Sequence, residues 1–223
     1  MTDLAAFDFD GTLTRGGSVF TFLRAMTSAG TVLAAIVPLA PRLAHAALAG
    51  GTVADEAKER LFERILADIA LERAEEVALD FAHDHLASHL RPDVRARFDW
   101  HRERQDRVVI VSASPELYVR VAGEQLGADA VIATRLAVTD HGTLTGGYDG
   151  ANCRGEEKLR RLRAWVDASG CEPDRLWAYG NSRGDLRMLH AADVGVNVGR
   201  LGPFGRLRAF PGLDGTEADG PAG

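Results

Sequence analysis

The 223-residue chain is nearly empty of lysine: of its 26 basic residues only Lys58 and Lys158 are lysine, and the other 24 are arginine. Cysteine is as scarce. Cys153 and Cys171 cannot build a disulfide framework and lie in no redox motif, so free thiols and a reducing cytoplasm are the expectation. Positive charge is in deficit, with 26 basic against 32 acidic residues and a net charge of −6. That balance excludes a general nucleic-acid binder, which needs a basic face to neutralise phosphates. No basic segment followed by an apolar run opens the chain as a signal peptide would.

Long hydrophobic runs are missing too. Ala25 to Pro41 carries no charge, but it contains Gly30, Pro38 and Pro41, is followed at once by Arg42, and is short for a membrane span. A helix packed on its neighbours is the preferred reading of this run, and a helix lying on a membrane surface is the alternative. No internal repeat is present. What the chain does have is 46% hydrophobic and 26% charged residues, enough for a packed core. Its length fits one α/β domain of ordinary size plus an insertion.

Four short apolar runs read as strands: Leu4 to Asp10, Arg107 to Val111, Leu176 to Tyr179 and Val194 to Val198. Such runs suit strands covered by helices on both faces. Helices are predicted from Glu116 to Leu126, after the Ser114-Pro115 start signal, and from Glu156 to Ala168, with Leu159, Leu162, Trp165 and Val166 on one face. Alternating strands and helices imply a doubly wound parallel sheet. The stretch from Gly16 to Arg91 breaks the alternation and reads as helices in succession. Thr52 to Asp55 has capping-box spacing, and Val53, Ala57, Leu61, Ile65 and Ile69 follow at four-residue steps beside Phe62 and Leu66. A hairpin is expected over 136–145, around Asp140-His141-Gly142. The fold expected is therefore an α/β, Rossmann-like sheet with an inserted all-helical cap: core at 1–15 and 92–213, cap at 16–91, and a Gly-, Pro- and acid-rich disordered tail at 214–223.

In an open α/β sheet the ligand site lies beyond the carboxyl ends of the strands. The residues there are Asp8, Asp10, Ser112, Asn181 and Asp185, with Lys158 opening the helix before the third predicted strand. Packing gives no reason for a polar group at each strand end. A phosphate monoester brought among these carboxylates would concentrate negative charge, so a cation is needed, and Mg²⁺ suits an all-oxygen site.

The block Phe7-Asp8-Phe9-Asp10-Gly11-Thr12-Leu13-Thr14 resembles the first motif of the haloacid dehalogenase superfamily of phosphohydrolases. The other motifs follow in order, with Ser112, then Lys158 as the motif-three base, then Gly180-Asn181-Ser182-Arg183-Gly184-Asp185-Leu186. The helical insertion is similar to the cap of the phosphoserine-phosphatase-like branch, subfamily IB. The resemblance implies an Mg²⁺-dependent phosphatase acting on a small-molecule phosphate monoester. Asp8 would be the nucleophile that forms an aspartyl-phosphate, and Asp10 the acid and then the base. The Asp8 side chain, the Asp10 carbonyl and the Asn181 side chain would hold the metal. Gly11, Ser112, Ala113 and Lys158 would bind phosphate, and Asp185 would orient Lys158 or a metal-bound water. Arg154 competes with Lys158, but a compact ammonium suits the place better than a guanidinium.

Blander readings stand beside these. Asp8 and Asp10 alone could be solvated strand-end acids, and Ser112 could help to cap the next helix. Asn181 stands where the family more often has aspartate, which leaves a catalytically weak phospholigand-binding protein as one alternative; another is a phosphotransferase, in which an alcohol instead of water takes the phosphoryl group from Asp8. His83, His85 and His89 read as solvated residues on a polar helix face, not metal ligands. Phosphoserine phosphatases usually carry a glutamate nine residues after the nucleophile to receive the substrate amine, and that position here is Gly17. With Val19, Phe20, Phe22, Leu23 and the 32–39 run near the entrance, the expectation is a less polar alcohol moiety, a sugar, cyclitol or glycerol-lipid phosphate, and not an amino acid.

Overall fold

The computed structural model describes residues 2–49, 51–199 and 209–215. Its centre is a parallel sheet of β1 (Leu4–Phe7), β2 (Arg107–Pro115), β3 (Ala130–Thr134), β6 (Leu176–Gly180) and β7 (Val194–Asn197), in the order β3-β2-β1-β6-β7. The chain thus winds outward on one side of β1 and then on the other, as a doubly wound sheet does. Side chains alternate across a strand, and here the alternation sorts the core into two faces. Ala5, Phe7, Val108 and Ile110 pack with α6 (Pro92–Glu103), α7 (Glu116–Leu126) and α5 (Leu71–His89). Leu4, Ala6, Val109 and Val111 pack against Leu162 of α8 (Glu156–Ser169) and Met188 and Leu189 of α9 (Leu186–Ala191).

The insertion is helical throughout its described residues: α1 (Val19–Met26), α2 (Ala29–Ile36), a 3₁₀ turn (Val37–Leu39), α3 (Ala40–Ala49), α4 (Gly51–Leu66) and α5. None of the described helices is long and apolar enough to cross a membrane. The uncharged run divides its side chains, with Val32, Ala35 and Leu39 buried and Leu33 and Val37 exposed. The predicted hairpin forms as β4 (Leu136–Val138) and β5 (Leu144–Tyr148), and Leu136 and Leu144 join Leu23, Leu61, Phe62 and Leu66 of the insertion in a core of their own.

Several expectations are corrected. β1 stops at Phe7, because Gly11 at φ +79° and the Thr12 and Thr14 amides, both donating to the Phe9 carbonyl, turn the chain back. β2 runs past Val111 to Pro115, and α4 begins at Gly51, so Thr52 lies inside that helix instead of capping it. Helix α6 and edge strand β3 are elements the sequence reading lacks. The expected tail lies outside the described residues from 216 onward.

Candidate active site

Asp8 follows β1 directly, and its amide still pairs with the Tyr179 carbonyl of β6 at 2.9 Å. That bond holds it at the mouth of the sheet while the turn folds Thr12 Oγ1 back onto its Oδ2, also at 2.9 Å. Lys158, in the first turn of α8, reaches the same carboxylate from the opposite side of the chain's winding. Its Nζ donates to Asp8 Oδ1 at 2.6 Å and to Asp185 Oδ1 at 2.5 Å. Arg154 pairs with Asp55 of α4 at 3.7 Å. The other oxygen of Asp185 accepts the Asn181 and Ser182 amides and the Ser182 hydroxyl, so this carboxylate ties the lysine to the turn after β6.

One ammonium therefore sits between two buried carboxylates. Burial pushes the Asp8 carboxyl up, to about 7, and Asp185 adds to the rise while Lys158 opposes it. Burial also pulls on Lys158, but the two carboxylates together outweigh it and hold the lysine above its ordinary value. The site is short of positive charge, and a cation beside Asp8 would restore its ionised form.

Asp10 is held differently. Its Oδ1 accepts the Ser18 amide at 3.1 Å, and its Oδ2 accepts the hydroxyls of Ser18 at 2.9 Å and Ser114 at 2.6 Å. Ser18 Oγ lies 2.7 Å from the Tyr118 hydroxyl. Hydroxyls can donate or accept, so this bracket tolerates both protonation states of the acid it surrounds. Ser18, Ser114 and Tyr118 were not singled out from the sequence. Ser112 Oγ accepts the Ser114 amide at 3.1 Å within the end of β2, and α7 has no side-chain cap. The carbonyl of Ala113 takes donors from Lys58 and Thr134.

Gly11 and Asn181 face each other across the mouth. Asn181 Oδ1 is buried and has no hydrogen-bond partner, in a place lined also by Asp8 and Asp10. An orphaned amide oxygen costs free energy unless something accepts its lone pair. Hard oxygen donors fit Mg²⁺. Among the described residues no group of three His, Cys, Asp or Glu side chains is placed to hold a metal ion, so the candidate donors are two aspartates completed by the Asn181 amide oxygen.

These residues line a cleft of about 1120 Å³, together with Arg15, Gly16, Gly17, Arg91, Asp93 and Arg154. Arg91 fastens the first turn, its Nη1 donating to the carbonyls of Gly11 at 3.2 Å and Val198 at 2.7 Å, while Nε and Nη2 hold Asp93. The apolar residues expected at the entrance are not there. Phe22 and Leu23 are buried in the cores and Phe20 is exposed, and the residues that line the cleft are mostly polar side chains and glycines. His85 is also unlike the expectation: it is 3% exposed, stacked on Phe81 and His89, with both ring nitrogens unpartnered. Cys153 and Cys171 are free, and burial pushes the Cys153 thiol up to about 11.

The Asp-x-Asp turn, the lysine and the amide thus meet at the strand ends of a doubly wound sheet, where such folds place their ligand sites. Residues 5–190 match the haloacid dehalogenase-like hydrolase family, and the chain belongs to it. Protein CicA of Caulobacter vibrioides is 37% identical over 190 residues, covering 85% of this chain and 83% of that one. A Bordetella pertussis Tohama I protein of unknown function superposes with a TM-score of 0.78 at 21% identity, over 95% of this chain and 98% of its own. A phosphoserine phosphatase solved as a phospho-aspartyl intermediate analogue superposes at 0.63 with 21% identity, over 88% of this chain and 86% of its own.

Proposed function

We propose that the chain is an Mg²⁺-dependent phosphatase that hydrolyses a small phosphate monoester through an aspartyl-phosphate on Asp8. The observation that carries this reading is the Asp8 carboxylate, buried, held by Lys158 at 2.6 Å and by Thr12. Asp8 attacks phosphorus, forming the new O–P bond as the bond to the alcohol oxygen breaks. Asp10 gives its proton to the departing alkoxide, then takes one from the water that attacks the aspartyl-phosphate, freeing Asp8 and phosphate. Gly11, Ser112, Ala113 and Lys158 hold the phosphoryl oxygens and offset their charge. Asp185 positions Lys158 and touches no substrate. The Asp8 side chain, the Asp10 carbonyl and Asn181 Oδ1 are the donors for Mg²⁺, which when bound offsets the carboxylate charge and polarises the phosphoryl group.

Residues 1–15 and 92–213 form the catalytic core in this reading, residues 16–91 its cap, and the two free cysteines suit a cytoplasmic protein. The substrate is a polar, non-amino-acid alcohol phosphate, such as a sugar, cyclitol or glycerol phosphate. Gly17 offers a substrate amine nothing. Besides Asp8, Asp10 and Asp185 the cleft is lined by Asp93, which Arg91 engages, and Asp55, the partner of the cleft residue Arg154, is also held by Asn152. An ammonium enclosed without a carboxylate costs several kcal/mol, ~3 or more. Asp8→Asn tests the chemistry: turnover should vanish with the fold retained, and acid-quenched wild-type protein should carry phosphate on Asp8. More than a few per cent residual activity in the variant would exclude covalent catalysis by this residue. A monoester panel tests the substrate class, and phosphoserine giving the highest kcat/KM would overturn it.

A further inference from the structure

The chain's other lysine is half-buried, with its ammonium bonded inside the fold. Lys58, on α4 of the insertion, donates from Nζ to the Ala113 carbonyl at 2.6 Å and to Asn152 Oδ1 at 3.1 Å. Its ammonium lies 5.6 Å from the Phe62 ring centre and 5.7 Å from that of Tyr148. Burial pulls its pKa down, to about 8, against the carboxylates of Asp55 and Asp10, with Arg154 also lowering it and Cys153 opposing. Burying a strongly hydrated point charge is costly. In a chain that otherwise uses arginine, a lysine paying that cost should serve a compact acceptor.

That acceptor is one peptide group. The Ala113 carbonyl takes Lys58 from one side and Thr134 Oγ1, at 2.8 Å, from another, while the Ser114 amide of the same peptide donates to Ser112 Oγ at 3.1 Å. Thr134 Oγ1 and Lys58 Nζ share Asn152 Oδ1, and Asn152 Nδ2 returns to Asp55 of α4 at 2.6 Å. The peptide plane is thus fixed at both its donor and its acceptor. Directly beyond it, Ser114 Oγ donates to Asp10 Oδ2 at 2.6 Å.

We propose that Lys58 is a positioning residue: by clamping the Ala113 carbonyl it holds the Ser114 hydroxyl on Asp10, so that seating α4 on the sheet sets the geometry of proton transfer. The proposal rests on the reading of Asp10 as the acid that protonates the leaving group. It differs from a simple staple between insertion and core, because a staple would affect every substrate alike.

The leaving group separates the two. A glycerol phosphate must have its alkoxide protonated, whereas p-nitrophenolate departs without a proton. Lys58→Met keeps the apolar stem between Phe62 and Tyr148 and removes the donor. It should lower kcat for glycerol phosphate about tenfold or more, part of what general acid catalysis supplies, and change p-nitrophenyl phosphate turnover by less than about threefold, with KM for both little moved. In a Ser114→Ala background Lys58→Met should add no further selectivity, because the hydroxyl it holds is gone. If Lys58→Met fails to fold by circular dichroism, Lys58→Gln, too short to keep the contact, takes its place. Equal losses on the two esters, no loss on either, or additivity with Ser114→Ala would overturn the role of Lys58. Wild-type protein inactive on both esters would instead remove the phosphatase reading itself.

Discussion

Gly11 and Asn181 are interlocked: a Cβ on the glycine would lie 1.8 Å from Asn181 Nδ2, with the Asn181 Cγ at 3.0 Å. The two residues belong to strand ends 170 positions apart in the chain, yet each leaves room for only the other. Gly11 also sits at φ +79°, where an L side chain is strained whatever the space.

Gly11→Ala should therefore fail twice over. The methyl must displace the Asn181 amide, and the backbone must bear left-handed strain, so stability should drop by about 2 kcal/mol or more. Activity should fall further than stability accounts for, by more than about a hundredfold, because the displaced amide is a proposed ligand. Denaturant melts and steady-state rates on the same preparation check both.

Lys158→Ala removes the cation between Asp8 and Asp185, and one buried carboxylate should then take up a proton. Rates should fall by about a hundredfold or more. Arg154→Ala breaks a 3.7 Å pairing with Asp55 and leaves the Asp8–Lys158–Asp185 triad in place, so it should cost less than about tenfold. The reverse ranking would give the motif-three role to the arginine.

Asn181→Asp adds a charged oxygen beside Asp8 and should tighten Mg²⁺ binding by about tenfold, whereas Asn181→Ala removes the donor and should weaken it as much. Titration calorimetry reads this without turnover. Unchanged affinity in both variants would place the metal elsewhere.

A pH dependence of stability follows from the layer beneath the site. His101 is buried, with Nε2 2.8 Å from the Tyr179 hydroxyl and Nδ1 2.8 Å from Asp106 Oδ2. Burial pulls its pKa down to about 4, with Asp106 opposing. The unfolded chain takes up this proton near pH 6.5 and the folded chain does not until about pH 4, so stability should fall as pH drops through that window. The loss should reach about 3 kcal/mol at the acid end. Denaturant midpoints at a series of pH values should show a shallower slope there for His101→Gln than for wild type, and parallel curves would contradict it.

Much of the sheet is legible in the sequence because β1, β2, β6 and β7 are apolar on both faces and end in polar residues. β3 is missed although its Ala-Val-Ile-Ala run is as apolar as that of β7 on the other edge of the sheet, and α6 escapes because arginines interrupt its apolar face. The motif residues Asp8, Asp10, Lys158, Asn181 and Asp185 converge at the mouth as expected. Ser18, Ser114 and Tyr118 were invisible because serine and tyrosine carry no signature, and their bonds join residues about 100 positions apart. His85 could have been read correctly: with Val77, Ala78, Phe81, Ala82 and Leu86 it completes one helical face, and periodicity outweighs the polarity of its neighbours. The apolar entrance failed for the opposite reason. Nearness in sequence to the nucleophile says nothing about which way a helix turns its side chains.

The hairpin of β4 and β5 has a last consequence. A Cβ on Gly146 would meet the Glu63 backbone at 2.4 Å, the Tyr148 amide donates to Glu59 at 2.9 Å, and the Asp68 and Leu71 amides donate to the Leu144 and Gly142 carbonyls. Although the hairpin is threaded after β3, it is bonded to the insertion as a fifth wheel is to its trailer. Any swing that widens the cleft must carry residues 136–148 along with α4, so the pivots belong at two further places, near Arg135 and near Asp149, besides the ends of the insertion. Those two residues face each other as an ion pair at 3.1 Å, and the Asp149 amide donates to the Arg135 carbonyl at 3.0 Å. A widening of the cleft would have to bend four connections, and two of them are joined to each other by an ion pair and a backbone hydrogen bond.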